Sequence, residues 1–285
     1  MQITGMLWGR KLLDLVEFTH SEVRGPELSV DEIKDMIKRH GQIFIKPVFK
    51  GGVGKKGKSG LLGRVDNITD ALKEKERLYF AEHVDGFSKV KSDGVTYEGG
   101  VPADYEVYFS ISESTEHRSP VMTITHHGGV DIEELDSSKL AVVPFDPLTG
   151  LKAFHVSNAL MDLGAPPQVI SPLVQNLPKL WDLYNNYGMW MLELNPIRMQ
   201  PGKGGRLTPV ACDFKCAFDQ DDPAWKRLHL PSHLFASDFS EFEQEINQLR
   251  TYQGQSDVFV MNDKGSITAP TFGGCLLYTS PSPRD

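Results

Sequence analysis

Glycine and lysine alternate in a segment that directly follows an apolar stretch of the chain. Residues 42–49 (QIFIKPVF) are mostly β-branched and aromatic, which is typical of a buried strand. The segment 51–60 (GGVGKKGKSG) offers backbone N–H groups that no side chain shields, together with the ammonium groups of Lys55, Lys56 and Lys58. Both kinds of group neutralise phosphate oxygens. The sequence therefore predicts that this loop covers a nucleoside triphosphate.

The same loop also fits the pattern G-x-x-x-x-G-K-S from Gly52 to Ser59, which requires a helix N-terminus after the loop to face the phosphates. The next residues, LLGRV at 61–65, are a short apolar run with an internal glycine and no helix cap. We therefore predict a strand, a loop and a return strand. A basic surface hairpin without a ligand is the remaining alternative, although the loop holds more glycine than a plain turn needs.

A second group of polar side chains lies on a strand predicted late in the chain. Side chains alternate along a strand, so Glu193 and Asn195 share one face. A turn centred on Lys203 would place Glu193 opposite Asp213, with Cβ atoms about 5 Å apart. Two carboxylates so close repel unless a cation or a proton intervenes, and Mg²⁺ prefers such oxygen ligands. The sequence predicts a magnesium site here, with an exposed acidic hairpin as the alternative.

Capping residues and apolar spacing predict the elements that would position these groups. Ser29 and Glu32 form a capping-box pattern that predicts a helix ending at Gly41. Pro196 is expected to end the regular part of the first hairpin strand. The other predictions are a helix after 67–69, strands at 77–84, 106–111 and 120–127, helices at 153–163, from 171 to about 187 and at 240–250, and a strand–turn–strand at 256–272.

Composition argues against several classes of function. The chain has 285 residues, 40% of them hydrophobic, and a formal net charge of -8 without a general basic face, so binding to nucleic acid is not expected. The N-terminus lacks the apolar region of a signal peptide, and no later run approaches the roughly 20 apolar residues of a membrane span. We therefore expect a cytoplasmic protein that binds no membrane and keeps its cysteines reduced.

The last residues differ from the rest of the chain. Residues 275–285 (CLLYTSPSPRD) have no periodicity, crowd Ser, Pro and Arg together, and resemble the translation of a transposase-type sequencing adaptor. We interpret them as a non-native tail; a genuine disordered tail is the alternative. The natural chain would then be interrupted after Gly274, within a glycine-rich loop.

Successive segments of the chain resemble, in order, the motifs of one known family. They are FIKPVFKGGVGKKGKSGLL, YFAEHV, DYEVYFSI, HHGGVDIEE, LPKLWDLY, MLELNPIRM and ACDFKCAFD. The family is the superfamily of ADP-forming acyl-CoA ligases, which includes succinyl-CoA synthetase β subunits and ATP-citrate lyase. The form GKKGKSGL looks closer to ATP-citrate lyase, and the resemblance covers about residues 10–274.

The resemblance implies an α+β chain with an ATP-grasp fold, in which two α/β lobes enclose ATP. The ATP-grasp domain would cover residues 1–250, with a smaller nucleotide lobe at about 20–100 and a larger lobe at about 101–250. Residues 251–274 would be the truncated start of a CoA-ligase-type α/β domain, and residues 275–285 the non-native tail.

The resemblance also implies roles for individual residues. Lys46 is similar to the strand lysine that contacts ATP phosphate, and together with Lys58 it would act in catalysis. Glu106 matches an acidic position that contacts the nucleotide. The other implied nucleotide-binding residues are Gly52, Gly54, Lys55, Lys56 and Gly57 in the loop, and Glu82, His83 and Val84 at an inter-lobe hinge that holds adenine.

Asn195 and Asp213 match the Mg²⁺ ligands of the family, with Glu193 in support. His126 and His127 fall at a position that the family fills variably, and we do not expect them to carry a phosphoryl group or a zinc ion.

The activity implied by the resemblance is phosphoryl transfer from ATP to a histidine of an α-type partner subunit. That histidine then activates a small carboxylic acid (citrate, succinate or malate) as an acyl phosphate for transfer to CoA. ATP, Mg²⁺ and coenzyme A are the implied cofactors, and the fragment alone is not expected to complete the reaction. The alternatives are a succinyl- or malate-CoA ligase β subunit, a non-catalytic nucleotide-binding module, and a stand-alone ATP-grasp carboxylate–amine ligase.

Overall fold

The computed structural model describes residues 2–49, 60–85, 88–92, 94–129, 135–219, 222–231, 241–249, 251, 258, 260 and 264–268. The chain divides into two compact units, Met1–Ala236 and Ser237–Asp285. Among the described residues, no helix has both the length and the apolar character needed to cross a bilayer.

The strands are β1 (Gln2–Thr4), β2 (Val23–Arg24), β3 (Ile43–Pro47), β4 (Gly63–Val65), β5 (Glu82–Asp85), β6 (Ser88–Lys91), β7 (Val95–Gly99), β8 (Glu106–Ser114), β9 (Ser119–Thr125), β10 (Ala141–Pro144), β11 (Met189–Pro201), β12 (Leu207–Ala211) and β13 (Lys215–Phe218). The helices are α1 (Met6–Asp14), α2 (Val30–His40), α3 (Ile68–Tyr79), α4 (Ala153–Asp162), α5 (Pro167–Asn176), α6 (Lys179–Asn186) and α7 (Glu241–Gln248), and α7 belongs to the second unit.

The larger sheet of the first unit has seven strands in the order β1-β13-β11-β8-β9-β10, with β12 beside β11. Every pairing in it is antiparallel. The inward residues of β8 and β11 pack with the apolar faces of α4, α5 and α6 in one core. Leu192, Leu194 and Ile197 are fully buried there, which fixes the central strand β11.

The smaller sheet has four strands in the order β2-β7-β3-β4, and α2 and α3 supply a separate core. Ile33 and Met36 of α2 pack with Ile43 and Ile45 of β3. The chain passes from this sheet to the larger one between Gly99, where β7 ends, and Glu106, where β8 begins. We call residues 100–105 the crossover segment.

Several predicted elements are confirmed. Ser29 accepts a hydrogen bond from the Glu32 N–H and donates its own N–H to the Glu32 carboxylate, and α2 ends at Gly41 with φ 72°. β4 pairs antiparallel with β3, so a strand and not a helix follows the glycine-rich loop. Predicted helices at 153–163 and within 240–250 correspond to α4 and α7, and the predicted strand pair corresponds to β8 and β9.

Two predicted boundaries are wrong. The expected strand at 77–84 begins inside α3, because Leu78 lies seven residues after Ala71 on the same buried helix face. The helical segment expected from 171 to about 187 is two helices, α5 and α6, and α5 begins at Pro167, because a proline fits the first turn of a helix equally well there. The irregularity expected at Pro196 is confirmed, because the β8–β11 register shifts between Leu194 and Ile197. β11 itself continues to Pro201, pairing with β13 before the proline and with β12 after it. Most of the strand–turn–strand predicted at 256–272 lies outside the described residues.

Candidate functional site

Lys46 lies on the face of the smaller sheet that is turned away from its core. Its neighbours Ile45 and Pro47 on β3 are buried, and alternation places Lys46 on the opposite face. The β3–β7 register pairs Lys46 with Thr96 and Phe44 with Glu98, so Glu98 is a diagonal neighbour on the same face. Lys46 Nζ lies 2.7 Å from Glu98 Oε2. Sequence reasoning missed this buried glutamate, because nothing in VTYEG distinguishes it from a surface residue.

Asp213 brings the larger sheet to the same ammonium group. It lies in the short connection between β12 and β13, where its Oδ1 accepts the Phe214 N–H at 2.9 Å. Its Oδ2 is 3.9 Å from Lys46 Nζ. Two residues predicted separately from sequence, Lys46 and Asp213, therefore meet where the two sheets face each other.

The charge of Lys46 is stabilised by this arrangement. Burial alone disfavours the ammonium form, but the negative charges of Asp213 and Glu98 outweigh it and raise the pKa of Lys46 above its ordinary value. The side chain is only 14% exposed, so the attraction acts with little screening by solvent. Lys46 is therefore a fixed positive charge in the space between the two sheets, which we call the cleft.

The expected opposition of Glu193 and Asp213 is wrong. The register of β11 with β12 and β13 centres the hairpin on residue 204, and Glu193 pairs with Lys215. The prediction placed the turn one residue too early, and this shift moves the cross-strand partner by two positions. Glu193 remains near other polar groups, because the Tyr108 hydroxyl donates to its Oε2 at 3.3 Å. Burial, and then the Glu193 charge, raise the pKa of Tyr108 to about 12, so the tyrosine stays protonated.

Asn195 and Glu106 are linked by the turn that follows β9. The Gly129 N–H donates to Asn195 Oδ1 at 3.0 Å, and the Gly128 N–H donates to the Glu106 backbone carbonyl at 2.8 Å. Gly129 has φ +75°, and a Cβ there would lie 1.8 Å from Glu106 Oε2. Glycine is therefore favoured at 129 by its backbone conformation, and a side chain there would also require the Glu106 carboxylate to move.

The predicted metal ligands Glu193, Asn195 and Asp213 all carry side-chain oxygen atoms. Among the described residues, no three His, Cys, Asp or Glu side chains are spaced to hold a metal ion. A cation here would need the amide oxygen of Asn195 beside the carboxylates, and further ligands from water or substrate. That combination suits Mg²⁺, which keeps several waters and binds one or two carboxylates together with phosphate oxygens.

Other predicted site residues are placed differently or not described. The loop residues Gly52, Gly54, Lys55, Lys56, Gly57 and Lys58 lie outside the described residues, as do the side chains of His83 and Val84. Residues 82–84 were expected to form the inter-lobe hinge, and this position is wrong. Glu82–Asp85 is β5, which pairs with β6 in a separate hairpin. The chain passes between the two larger sheets at the crossover segment instead. A contact of Glu82 with the nucleotide stays a prediction.

His126 and Cys212 have positions consistent with structural roles. His126 Nε2 lies 3.0 Å from the Leu163 carbonyl oxygen, and its ring lies against the His127 ring, tilted by 35° with 4.2 Å between centroids. Cys212 and Cys216 are free thiols. Burial raises the pKa of Cys212 to about 12 despite the nearby positive charges of Arg198 and Lys46, so the thiol stays protonated at neutral pH.

Comparison with known proteins identifies the fold family. The family described as the ATP-grasp domain matches residues 16–199, which is well over half of the chain. The chain belongs to the ATP-grasp family. This ATP-grasp chain is 30% identical over 200 residues to the β subunit of an ADP-forming succinate–CoA ligase from Desulfatibacillum aliphaticivorans, a match that covers 68% of this chain and 51% of the relative.

A second relative acts on a different acid. The ADP-forming sulfoacetate–CoA ligase subunit of Bilophila wadsworthia is 26% identical over 77% of this chain and 57% of its own length. The ATP-grasp chain thus spans little more than half the length of these two curated relatives.

Solved structures show the same fold. ATP citrate lyase from Methanothrix soehngenii, in complex with citrate and coenzyme A, superposes with a TM-score of 0.59 at 20% identity, over 87% of this chain and 60% of that one. A dinucleotide-forming acetyl-coenzyme A synthetase from Ca. Korarchaeum cryptofilum, in complex with coenzyme A and Ca-AMPCP, superposes with a TM-score of 0.57 at 13% identity, over 76% of this chain and 93% of that one. At these identities the likeness shows the ATP-grasp fold alone.

Proposed function

We propose that this chain is the ATP- and Mg²⁺-binding part of an ADP-forming carboxylate–CoA ligase, most like ATP-citrate lyase. The observation that carries the proposal is the meeting of Lys46, from the smaller sheet, with Asp213, from the larger sheet, at 3.9 Å. An ATP-grasp fold binds its nucleotide between two such sheets, and the chain belongs to that family. Sequence similarity to ADP-forming CoA ligase subunits supports the reaction class.

The described residues fit a magnesium–nucleotide complex. Lys46 would neutralise a phosphate oxygen, since its ammonium charge is stabilised and lies between the smaller sheet and Asp213 of the larger one. Asp213, Asn195 and Glu193 would supply oxygen ligands, and bound Mg²⁺ would orient the phosphates and neutralise their charge. Adenine would lie against the crossover segment, because this is where the backbone joins the two sheets. The loop Gly52–Lys58 would cover the phosphates.

The proposed reaction requires a partner. Phosphoryl transfer would proceed to a histidine of an α-type subunit, and then to the carboxylate of a small acid for thioester formation with CoA. In this arrangement the chain's own residues position the triphosphate and neutralise its charge, which are the main demands of phosphoryl transfer.

Succinate is a second candidate acid, because a succinate–CoA ligase β subunit is the 30%-identical relative. Mixing the chain with ATP, Mg²⁺, a partner subunit that carries the phosphoryl-accepting histidine, CoA and one acid at a time distinguishes the candidates. ADP release that depends on citrate supports the lyase-type assignment, whereas release that depends on succinate or malate replaces it.

Nucleotide binding is tested by calorimetry on the full chain with ATP, in the presence and absence of Mg²⁺. We expect removal of Mg²⁺ and the Asp213→Ala substitution each to weaken ATP binding by about tenfold or more, because Mg²⁺ would neutralise the triphosphate and Asp213 would hold the metal ion. Asp162→Ala, an exposed aspartate on α4, is the matched control and should bind as the wild type does. A folded wild-type chain that binds no ATP would favour the non-catalytic alternative.

A further inference from the structure

Arg198 contacts both the crossover segment and the predicted nucleotide-contact residue Glu106. On β11 it is the direct cross-strand partner of Glu106 on β8. Its Nη2 lies 2.5 Å from Glu106 Oε1, and its Nη1 donates to the Val101 carbonyl at 2.9 Å. Two separate nitrogens of one planar guanidinium thus hold a carboxylate and a backbone carbonyl in a fixed relation.

The contact continues from Glu106 towards the predicted metal ligand. The second carboxylate oxygen of Glu106, Oε2, lies against Gly129, where even a Cβ would not fit. The N–H of the same glycine donates to Asn195 Oδ1. Arg198 on one side and Gly129 on the other therefore restrict the rotation of the Glu106 carboxylate, and the same glycine orients Asn195.

The Arg198–Glu106 ion pair is partly buried, so solvent screens it less than an exposed pair. The side chains of Arg198 and Glu106 are 26% and 29% exposed, so the pair is neither freely solvated nor fully desolvated. The crossover segment itself contains a proline and adopts no regular structure, and the carbonyl of its last residue, Tyr105, accepts the Met199 N–H at 3.0 Å. Arg198 adds a side-chain contact near the start of the segment, at Val101.

We infer that Arg198 is a positioning residue for nucleotide binding. It sets the orientation of Glu106, and it holds the crossover segment in the position against which the adenine base would lie. The inference rests on the proposed function, because it assigns Arg198 to the same ATP site. Arg198 acts through Glu106 and Val101 and not by contact with the nucleotide.

The test uses Arg198→Met, Arg198→Lys, Glu106→Gln and the double variant Arg198→Met with Glu106→Gln, all in the full chain. Magnesium–ATP affinity is measured by calorimetry, and backbone hydrogen exchange of residues 100–105 is measured without nucleotide. Arg206→Met is the matched control, because Arg206 lies in the turn of the same hairpin and its Nη2 bonds only to Gln175 among the contacts described.

We expect Arg198→Met to weaken ATP binding by about tenfold and to speed exchange in the crossover segment, because a charge-assisted pair and a carbonyl contact are lost. Arg198→Lys should recover part of the affinity, since one ammonium replaces a two-pronged group. The effects of the two substitutions should not be additive, because Arg198 acts partly through Glu106. The loss of affinity in the double variant should therefore be clearly smaller than the product of the losses in the two single variants.

The outcomes separate the two proposals. If the wild-type chain binds no ATP, the proposed function fails, and this inference fails with it. If the wild type binds ATP and Arg198→Met binds equally well, or if the two substitutions act independently, the inference alone is overturned. A variant that only unfolds at lower temperature, with unchanged affinity and unchanged exchange at 100–105, assigns Arg198 to general stability and also overturns it.

Discussion

At the scale of single residues, the cleft depends on charges that are buried and already balanced. Lys46 is 2.7 Å from Glu98, whose side chain is only 4% exposed. Such a pair is costly to desolvate but still more costly to break, because the surviving charge keeps its desolvation penalty and loses its nearest opposite charge. Substitutions at Lys46 will therefore affect folding as well as ligand binding, and the two effects have to be measured separately.

Lys46→Met should lower the free energy of unfolding by about 3–5 kcal/mol, because it removes the ammonium beside the buried Glu98 carboxylate. Urea denaturation at neutral pH measures the change. Lys34→Met is the matched control: its partner Asp31 is 90% exposed, so the loss should stay below about 1 kcal/mol. Equal losses in the two variants would show that the buried Lys46–Glu98 pair contributes no more to the free energy of unfolding than an exposed pair does.

Gly129→Ala should lower both stability and ATP affinity, because the new methyl group would displace the Glu106 carboxylate. Gly204→Ala separates this clash from backbone strain: Gly204, in the turn between β11 and β12, has φ +74° but no atom within 4 Å of its Cβ position. The control should cost about 1 kcal/mol of stability and leave nucleotide affinity unchanged. Equal effects of the two substitutions on ATP binding would contradict the proposed placement of Glu106.

At the scale of elements, one carboxylate joins helix α2 to strand β2. Glu22 directly precedes β2 and accepts hydrogen bonds from Arg39 at 2.8 Å and Arg24 at 3.2 Å, and it lies 2.8 Å from His40 Nε2. Burial opposes its ionisation, but the hydrogen bonds from His40, Arg24 and Arg39 prevail and lower the pKa of Glu22 from 4.5 to about 2. The end of α2 is thereby fixed to the edge of the smaller sheet.

This depressed pKa predicts an acid-sensitive contribution to stability. Above pH 4.5 the ionised Glu22 contributes fully, and the contribution disappears as pH falls from 4.5 towards 2. The upper bound is about 3 kcal/mol, reduced by salt because the side chain is 26% exposed. Unfolding free energies of wild type and Glu22→Gln should differ most at pH 6 and converge near pH 2, whereas the exposed Glu76→Gln should match the wild type at both. A constant difference would refute the linkage.

Local features of the sequence predicted the elements that local interactions define. Ser29 and Glu32 form a capping box within four residues, and the strand after the glycine-rich loop follows from the short run at 61–65. Pairings between distant segments were not predictable in the same way. The Lys46–Glu98 pair depends on the β3–β7 register, and the Arg198–Glu106 pair depends on the β8–β11 register. A single residue of error in the turn near Lys203 was enough to misplace the partner of Glu193.

At the scale of the whole first unit, the two sheets have separate cores. The core of the smaller sheet includes Ile33, Ile45 and Tyr97, and the core of the larger sheet includes Phe109, Leu194 and Phe218. The smaller set buries fewer apolar side chains, so less hydrophobic free energy opposes its opening. We therefore expect the smaller sheet to open locally while the larger sheet remains folded.

Hydrogen exchange tests this expectation. Ile45→Ala should cost about 2–5 kcal/mol and speed exchange mainly in β3, β4 and β7, because it leaves a cavity in the smaller core. Leu194→Ala, equally buried in the larger core, should speed exchange in both sheets if the smaller one depends on the larger. Uniform acceleration by Ile45→Ala would show instead that both sheets unfold as one cooperative unit.

The position of β1 in the larger sheet has a consequence for how the protein is made. Gln2 pairs with Ala217, so the first strand of the chain is joined to the last strand of its sheet, and every strand of the smaller sheet is synthesised between them. The smaller sheet needs only residues up to Gly99, and its contacts are comparatively local. We therefore expect the smaller sheet to fold first on the ribosome, whereas β1 can pair only after β13 has been synthesised.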